Sequence, residues 1–145
     1  MPLVNAVRRF HTAEENGLDF GSGPEPVLSQ ILENEGFSVE AYDPVFRSKP
    51  ELLERKYDYI ICCEVIEHFH NPSKEFALLS KMMKSGGRLF IKTSLLSDDT
   101  DFGSWWYKND ITHVFFYSVK ALEYIRDNYK FSEFGMEEGY FVLKK

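Results

Sequence analysis

One short stretch constrains the fold more than any other: residues 17–26, GLDFGSGPEP, followed by an amphipathic run from Val27 to Glu35. A strand-like entry ends in an acidic residue, a glycine-rich turn follows, and the amphipathic run has helical spacing. Open α/β sheets use this unit to form a ligand crevice at the carboxyl ends of their strands. Gly21 and Gly23 let the backbone turn tightly and let a ligand approach it. The stretch predicts a βα unit with a ligand site, and a tight turn without a ligand is the alternative.

The residues after the second glycine separate two classes of cofactor. Dinucleotide enzymes carry G-x-G-x-x-G and hold the pyrophosphate at the helix N-terminus. Here Pro24, Glu25 and Pro26 follow, so the third glycine is missing, and Glu25 places a negative charge where a pyrophosphate would bind. S-adenosylmethionine has no phosphate, so the turn fits it better than a nicotinamide dinucleotide. A nicotinamide-dependent oxidoreductase is therefore disfavoured.

Strand and helix patterns alternate along the rest of the chain. The predicted elements are a helix from Leu3 to Glu14, strands at Gly17–Phe20 and Phe37–Tyr42, a helical turn at Glu51–Glu54, a buried strand at Tyr57–Cys63, a helix from Ser73 to Lys84 ended by Gly86-Gly87, a strand at Arg88–Thr93, a helix from Ser118 to Asn128, and strands at Phe131–Gly135 and Tyr140–Leu143. This alternation predicts an α/β, Rossmann-like, doubly wound and mostly parallel sheet. A length of 145 residues predicts one domain, residues 1–145.

Composition excludes several classes of function. The net charge is −6 and no lysine or arginine cluster occurs, which argues against nucleic acid as a partner. No apolar run reaches the length of a membrane span and no signal peptide is visible, so we expect no membrane partner. The only cysteines, Cys62 and Cys63, are adjacent inside the apolar strand, which suits neither a zinc ribbon nor a structural disulfide. We therefore expect a cytoplasmic protein. His11 is expected at the surface.

An acidic residue stands at the tip of the second strand. In such a unit, Asp43 is placed to accept hydrogen bonds from two ribose hydroxyls. The alternative is an ordinary turn aspartate before Pro44. The segment from Val45 to Lys56 is too short for a full helix and a third strand, so we expect the sheet to be reduced there.

A carboxylate–histidine group follows the buried strand. Glu64, Glu67 and His68 stand at i, i+3 and i+4, so they share one face if a helix starts there. Two carboxylates and an imidazole suit a divalent cation such as Mg²⁺ or Mn²⁺. Without a metal, His68 or the later His113 could act as a general base. Purely structural roles, such as Glu64 capping a helix, are the third possibility.

The polar loop at 94–110 contains Phe102, Trp105, Trp106 and Tyr107. So many aromatic residues in a loop indicate a lid or the wall of a pocket. Packing over the edge of the sheet is the alternative.

Several segments, in this order and spacing, resemble a class I S-adenosylmethionine-dependent methyltransferase. They are LDFGSGP, YDP, YDYIICCEVIEHF and GGRLFIKT. The segment from Trp106 to Ser118 matches W-Y-x-x-D-x-T-H-V-x-F-Y-S, as in small bacterial methyltransferase domains. The chain is also similar to the ubiquinone-biosynthesis O-methyltransferase type, and the resemblance covers nearly the whole chain from Gly17 onward.

The resemblance implies a fold and a set of site residues. The sheet would have seven strands with an antiparallel last strand. The cofactor-binding residues would be Asp19, Gly21, Ser22 and Gly23 at the methionine end, Asp43 at the ribose, and also Tyr42 and Cys63. The E-x-x-E-H spacing is similar to the metal site of those enzymes and of small-RNA 2′-O-methyltransferases. In the latter, a second histidine completes the site, and His113 stands where it would be expected. Metal ligands would be Glu64, Glu67, His68 and His113, with catalytic roles for His68, His113 and Glu64.

The function that follows is transfer of a methyl group from S-adenosylmethionine to a small-molecule acceptor, with a hydroxyl as the expected methyl-accepting group and a divalent metal as a candidate cofactor. The sulfonium methyl is already activated, so the protein must position and deprotonate the acceptor. The alternative is a non-catalytic or degenerate methyltransferase-like module that acts through a partner. Two departures from the family motivate that alternative: the short segment after Asp43 and the short region before the first strand.

Overall fold

The computed structural model describes residues 1–145 and contains one six-stranded sheet with helices on both faces. Its elements are α1 (Pro2–Phe10), β1 (Asn16–Phe20), α2 (Val27–Asn34), β2 (Ser38–Tyr42), β3 (Tyr57–Cys63), α3 (Pro72–Lys81), β4 (Met83–Lys92), α4 (Val119–Asn128), β5 (Glu133–Glu137) and β6 (Tyr140–Lys144). Short 3-10 turns lie at Pro50–Glu54, Ile66–His68 and Trp106–Asn109. None of the helices is both long and apolar enough to span a membrane.

The strand order is β2-β1-β3-β4-β6-β5. Strands β1 to β4 pair in parallel, and β6 runs antiparallel to both β4 and β5. The predicted Rossmann-like sheet with an antiparallel last strand is confirmed. Only a 3-10 turn forms between Asp43 and Tyr57, so the sheet has six strands and not the seven that the resemblance implies. The expected reduction after β2 is confirmed as well.

Two apolar layers cover the two faces of the sheet. Helices α1 and α2 pack on one face, where Tyr59, Ile61 and Phe90 point. Helices α3 and α4 pack on the other, against Ile60 and Cys62. Because both faces are covered, β3 is buried throughout most of its length, which explains its continuous apolar sequence.

The first helix is shorter than predicted. It ends at Phe10 and not at Glu14, and His11 continues in extended backbone with φ −132° and ψ 160°. His11 is only 6% exposed, so the expectation of a surface residue is wrong. Its ring lies 4.7 Å from that of Tyr59, between centroids, and 5.7 Å from that of Phe90.

The boundary between α3 and β4 also differs from the prediction. Helix α3 ends at Lys81, and β4 begins at Met83, so Gly86 and Gly87 lie inside a strand. The pairing of β3 with β4 shifts register in this region, and a Cβ on Gly87 would lie 2.9 Å from the carbonyl oxygen of Asp58. Glycine is therefore needed for close strand packing there, not to end the helix. Strand β5 likewise begins at Glu133, two residues later than predicted.

Candidate active site

The glycine turn is fastened to the end of β2. The backbone N–H groups of Gly21 and Ser22 both donate to the carbonyl oxygen of Tyr42, at 2.8 and 3.0 Å. Gly21 has φ +79° and Gly23 has φ +68°, a region in which glycine is favoured. A Cβ on Gly21 would lie 2.6 Å from Val65 Cγ2. The turn therefore packs directly against the segment that follows β3.

Asp43 lies beside this turn and is buried, with 8% exposure. Its Oδ2 accepts a hydrogen bond from the N–H of Gly23 at 3.0 Å. Its Oδ1 accepts from the N–H groups of Val45 and Phe46, at 2.8 and 3.0 Å. The carboxylate thus organises its own turn, as the alternative interpretation requires, and also lies next to the glycine turn. Its ribose role stays a prediction.

Two features of the glycine turn fit a bound ligand. Ser22 Oγ is buried and has no hydrogen-bond partner in the folded chain. A Cβ on Gly23 would meet no atom within 4 Å, so open space lies above the turn. Asp19, 3% exposed at the end of β1, accepts a hydrogen bond from Ser29 Oγ at 2.7 Å. Burial raises the pKa of the Asp19 carboxyl.

The remaining predicted cofactor residues lie at the same edge of the sheet. The ring of Tyr42 packs against Phe20 in the core, with centroids 5.4 Å apart, so Tyr42 supports the turn through its carbonyl. Cys63 ends β3 and is partly buried, and burial raises the pKa of its thiol. The parallel pairing of β1 with β2 and β3 therefore brings these residues to one edge of the sheet.

The predicted helix at the end of β3 is absent. Glu64 adopts φ +52°, its N–H donates to the carbonyl of Lys92 at 2.8 Å, and only the 3-10 turn Ile66–His68 follows. Glu64 therefore does not share a helical face with Glu67 and His68, contrary to the prediction. The groups that could hold a metal ion are Glu67, His68 and His113, whose ligand atoms all lie within 4.8 Å of one another. The long-range partner His113 was predicted, and Glu64 stands outside this group.

Glu67 is fully buried and is held by two hydroxyl groups. Tyr107 Oη donates to Glu67 Oε1, and Thr93 Oγ1 donates to Oε2 at 3.2 Å. Tyr107 Oη also lies 3.1 Å from Glu64 Oε2. Burial and the neighbouring Glu67 raise the pKa of Glu64, and burial together with Glu67 raises the pKa of Tyr107. The phenol therefore bridges the two carboxyl groups.

The backbone orients both histidine rings. His68 Nδ1 lies 2.9 Å from the carbonyl oxygen of Thr112, and His113 Nδ1 lies 2.7 Å from that of Tyr107. A carbonyl only accepts hydrogen bonds, so each Nδ1 carries a proton and donates. The lone pair of each neutral ring is then on Nε2. Nε2 is therefore the atom of each ring that can bind a metal or accept a proton, and His113 Nε2 lies 3.6 Å from Asp110 Oδ2.

The loop that carries His113 is anchored on Glu67. The N–H groups of Val114 and Phe115 donate to the Glu67 carbonyl at 2.9 and 3.2 Å. Asp110 Oδ1 accepts from Thr112 N at 2.9 Å and from Thr112 Oγ1 at 2.6 Å. The Trp106–Ser118 motif therefore brings both histidines together. The sequence predicted Tyr107 only as part of a lid or pocket wall and gave no role to Thr93 or Thr112, although the family motif contains both Tyr107 and Thr112.

The loop that joins β4 to α4, residues 93–118 and here called the aromatic loop, has a packed part and an exposed part. Trp105, Tyr107 and Phe116 pack on one another, with ring centroids 5.2 to 6.4 Å apart. Tyr107 is buried and its ring lies 4.1 Å from that of His113. Trp106 and Ile111, in contrast, are 70% and 95% exposed. The loop thus forms one wall of the site and presents further apolar side chains to solvent.

Sequence comparison identifies the family. A model of the methyltransferase domain family matches residues 2–132. The chain belongs to the methyltransferase domain family. The ubiquinone biosynthesis O-methyltransferase of Pseudomonas savastanoi pv. phaseolicola is 31% identical over 91 residues, which cover 63% of this chain and 39% of that protein. This methyltransferase domain therefore spans well under half the length of that curated relative.

Solved structures agree with the fold. An S-adenosylmethionine-dependent methyltransferase from Archaeoglobus fulgidus superposes with a TM-score of 0.72 at 16% identity, over 99% of this chain and 93% of that one. Human N-acetylserotonin methyltransferase, solved with S-adenosylmethionine, superposes with a TM-score of 0.68 at 12% identity, over 90% of this chain and 47% of that one. The six-stranded sheet is thus a methyltransferase fold with one strand fewer than expected.

Proposed function

We propose that this methyltransferase domain, residues 1–145, transfers the methyl group of S-adenosylmethionine to a hydroxyl group of a small-molecule acceptor. One observation carries the proposal: the glycine turn and the Glu67–His68–His113 group lie at one edge of the sheet. Val65, which packs against Gly21, is two residues from Glu67. A methyl donor on the turn and an acceptor at the histidines would therefore be neighbours.

The residues around the turn fit the cofactor. Ser22 Oγ is a buried hydroxyl without a partner, and the space above Gly23 is open. The residues that would hold S-adenosylmethionine are Asp19, Gly21, Ser22 and Gly23 at the methionine end, Asp43 at the ribose, and Tyr42 and Cys63 nearby. When bound, S-adenosylmethionine supplies an electrophilic methyl group on its sulfonium sulfur.

The histidines supply the acid–base chemistry. Each has its Nδ1 proton engaged with a carbonyl, so Nε2 of His68 or His113 is available to accept the proton of the acceptor hydroxyl. The Tyr107 carbonyl remains bonded to Nδ1 of His113 when that ring becomes positively charged. Removal of the proton turns the hydroxyl oxygen into a stronger nucleophile.

We also propose that Glu67, His68 and His113 bind a divalent cation. The ligand atoms within 4.8 Å of one another are one carboxylate oxygen and two imidazole nitrogens. Imidazole suits transition metals and carboxylate suits Mg²⁺ and Mn²⁺, so the mixed set favours Mn²⁺ over Mg²⁺. A cation held there would lower the pKa of a bound hydroxyl.

Exposed apolar side chains and the net charge indicate what kind of acceptor the site would take. Exposed Trp106 and Ile111 beside the site favour a planar or apolar small molecule. The net charge of −6 disfavours nucleic acid as the acceptor.

Both cysteines are free thiols, which favours a reducing compartment, and we propose the cytoplasm.

The cofactor is tested by titrating the folded protein with S-adenosylhomocysteine in a calorimeter, and activity by transfer of labelled methyl groups to phenolic and catecholic acceptors. We expect saturable binding, and methyl transfer that His113→Ala abolishes. His70→Ala, at the exposed turn before α3, is the matched control and should keep wild-type activity. No binding at millimolar ligand by protein that is folded would end the proposal.

The metal is tested separately by electron paramagnetic resonance of Mn²⁺. Glu67→Gln keeps the shape of the side chain and removes its charge, so we expect it to abolish Mn²⁺ binding. Glu64→Gln should weaken binding much less, because Glu64 stands outside the ligand group. Equal and negligible binding in wild type and Glu67→Gln would remove the metal and leave the metal-free mechanism.

One observation favours a second candidate function, a non-catalytic module that acts through a partner. Tyr107 Oη occupies the space between Glu64 and Glu67, where an acceptor hydroxyl would be expected. Folded protein that binds S-adenosylhomocysteine but transfers no methyl group to any hydroxylated acceptor would support this alternative.

A further inference from the structure

We infer that Tyr107 is a positioning residue, whose hydroxyl sets the orientation of the Glu67 carboxylate towards the two histidines. This inference rests on the proposed function, in which the Glu67 carboxylate helps to hold a cation or an acceptor.

Three groups of Tyr107 converge on the site. The hydroxyl donates to Glu67 Oε1, the backbone carbonyl accepts from His113 Nδ1 at 2.7 Å, and the ring packs on the His113 ring at 4.1 Å. Thr93 hydrogen-bonds Glu67 but not His113, whereas Tyr107 hydrogen-bonds Glu67 through its hydroxyl and His113 through its backbone carbonyl. Tyr107 therefore connects Glu67, which follows β3, to His113 in the aromatic loop.

Both side chains of the hydrogen bond between Tyr107 and Glu67 are buried. Glu67 is 0% exposed and Tyr107 is 2% exposed, so water does not replace the phenol as donor without rearrangement. Thr93 Oγ1 lies 3.2 Å from the other carboxylate oxygen and 2.9 Å from Tyr107 Oη, and its one proton can be donated to either of them. A carboxylate oxygen has two lone pairs, so each oxygen can accept one of these bonds and still face a cation. Hydrogen-bonded supports of this kind fix the orientation of metal ligands.

The ring fixes where the hydroxyl lies. Tyr107 packs against Trp105 at 5.2 Å and Phe116 at 6.4 Å, between ring centroids. These neighbours are part of the aromatic loop, so the loop determines the direction of the phenol. Trp105 and Phe116 therefore serve this positioning through their contacts with the Tyr107 ring.

The substitution Tyr107→Phe tests the inference, because it removes the hydroxyl and keeps the ring and the carbonyl. Tyr57→Phe is the matched control: Tyr57 is equally buried and its hydroxyl donates to the Leu52 carbonyl at 2.8 Å, away from the site. Circular dichroism and thermal unfolding establish that both variants are folded. The first measurement is the side-chain carboxyl ¹³C signal of Glu67 in metal-free protein, assigned with Glu67→Gln.

We expect this signal to shift in Tyr107→Phe and to stay at its wild-type position in Tyr57→Phe. We also expect Mn²⁺ to bind roughly 10- to 100-fold more weakly to Tyr107→Phe, the usual effect of losing such a support. An unmoved Glu67 signal in folded Tyr107→Phe overturns the inference. If the wild type takes up no Mn²⁺, the metal part of the proposed function fails, and the carboxyl signal still decides the role of Tyr107.

Discussion

The hydroxyl groups of Ser22 and Ser29 are both buried, but only that of Ser29 has a hydrogen-bond partner. Ser29 Oγ donates to Asp19 at 2.7 Å, so it satisfies a buried carboxyl group. Ser22 Oγ is buried in the glycine turn without a partner. A buried hydroxyl without a hydrogen bond costs stability, and under the proposed function a bound cofactor would supply the partner of Ser22 Oγ.

We predict that Ser22→Ala leaves the free energy of unfolding unchanged or slightly higher, because no bond is lost in the ligand-free protein. The same change should weaken S-adenosylhomocysteine binding by about 1 kcal/mol, roughly five- to tenfold. Ser29→Ala, as the contrasting variant, should lower the free energy of unfolding by about 1–3 kcal/mol. Urea unfolding and calorimetry measure both quantities. Unchanged affinity in Ser22→Ala would remove Ser22 from the binding site.

His11 gives the molecule a pH dependence of stability. Burial lowers the pKa of His11 below its usual value of 6.5, although its contact with Glu15 opposes this. The unfolded chain then binds the proton more readily than the folded protein. We predict that the contribution of His11 to stability is complete above about pH 6.5 and is lost as the pH falls through the lowered pKa of the folded state.

The measurement is the free energy of unfolding between pH 7.5 and 5. His11→Phe should reduce the loss of stability over this range, while His70→Gln, at an exposed turn, should not alter it. Identical slopes in wild type and His11→Phe would show that another group is responsible.

At the scale of elements, the loop between β4 and α4 builds much of the candidate site. Two aspartates organise turns in this loop. Asp110 accepts from Thr112 N and Thr112 Oγ1, at 2.9 and 2.6 Å. Asp101 makes a similar turn with Gly103 N at 3.1 Å and Ser104 Oγ at 2.7 Å. Only the Asp110 turn presents a carbonyl, that of Thr112, to a histidine of the site.

We predict that Asp110→Ala releases the Thr112 carbonyl and thereby frees the ring of His68. The Nδ1 proton of His68 should then exchange rapidly with water, and its downfield NMR signal should broaden or disappear. Asp101→Ala disrupts an equivalent turn in the same loop and should leave that signal intact. A His68 signal that persists in folded Asp110→Ala would contradict this role of the turn.

At the scale of the whole molecule, the sheet has a strong centre and weaker edges. Strand β3 pairs with β1 and β4 and is covered on both faces, whereas β2 and β5 lie at the two edges. Strand β5 has no fully buried residue. The candidate site lies where the central strands β1 and β3 end, and the loops that follow these strands supply its other residues.

We predict that hydrogen-bonded amides of β3 exchange with solvent only through global unfolding. Amides of β5 should exchange through smaller openings, with a lower free energy of opening. Hydrogen–deuterium exchange followed by NMR measures both sets. Equally slow exchange in β5 and β3 would indicate that something covers the β5 edge in solution.

The sequence alone determined the order of the sheet-forming segments, the glycine turn, the reduction after β2 and the family. These features depend on local periodicity and on turn chemistry, which neighbouring residues specify. It also singled out His113 beside Glu67 and His68, through a family motif. It did not place Gly86-Gly87 in a strand or His11 in the core, because packing against distant residues decides both.

Only the tertiary structure decided which side chains form the site. A helix at the end of β3 would have placed Glu64, Glu67 and His68 on one face. The left-handed backbone of Glu64 prevents such a helix. Thr93 and Tyr107 reach Glu67 from 26 and 40 residues away. The family motif contained Tyr107, but its hydrogen bond to Glu67 depends on how β4 and the aromatic loop pack, which neighbouring residues do not specify.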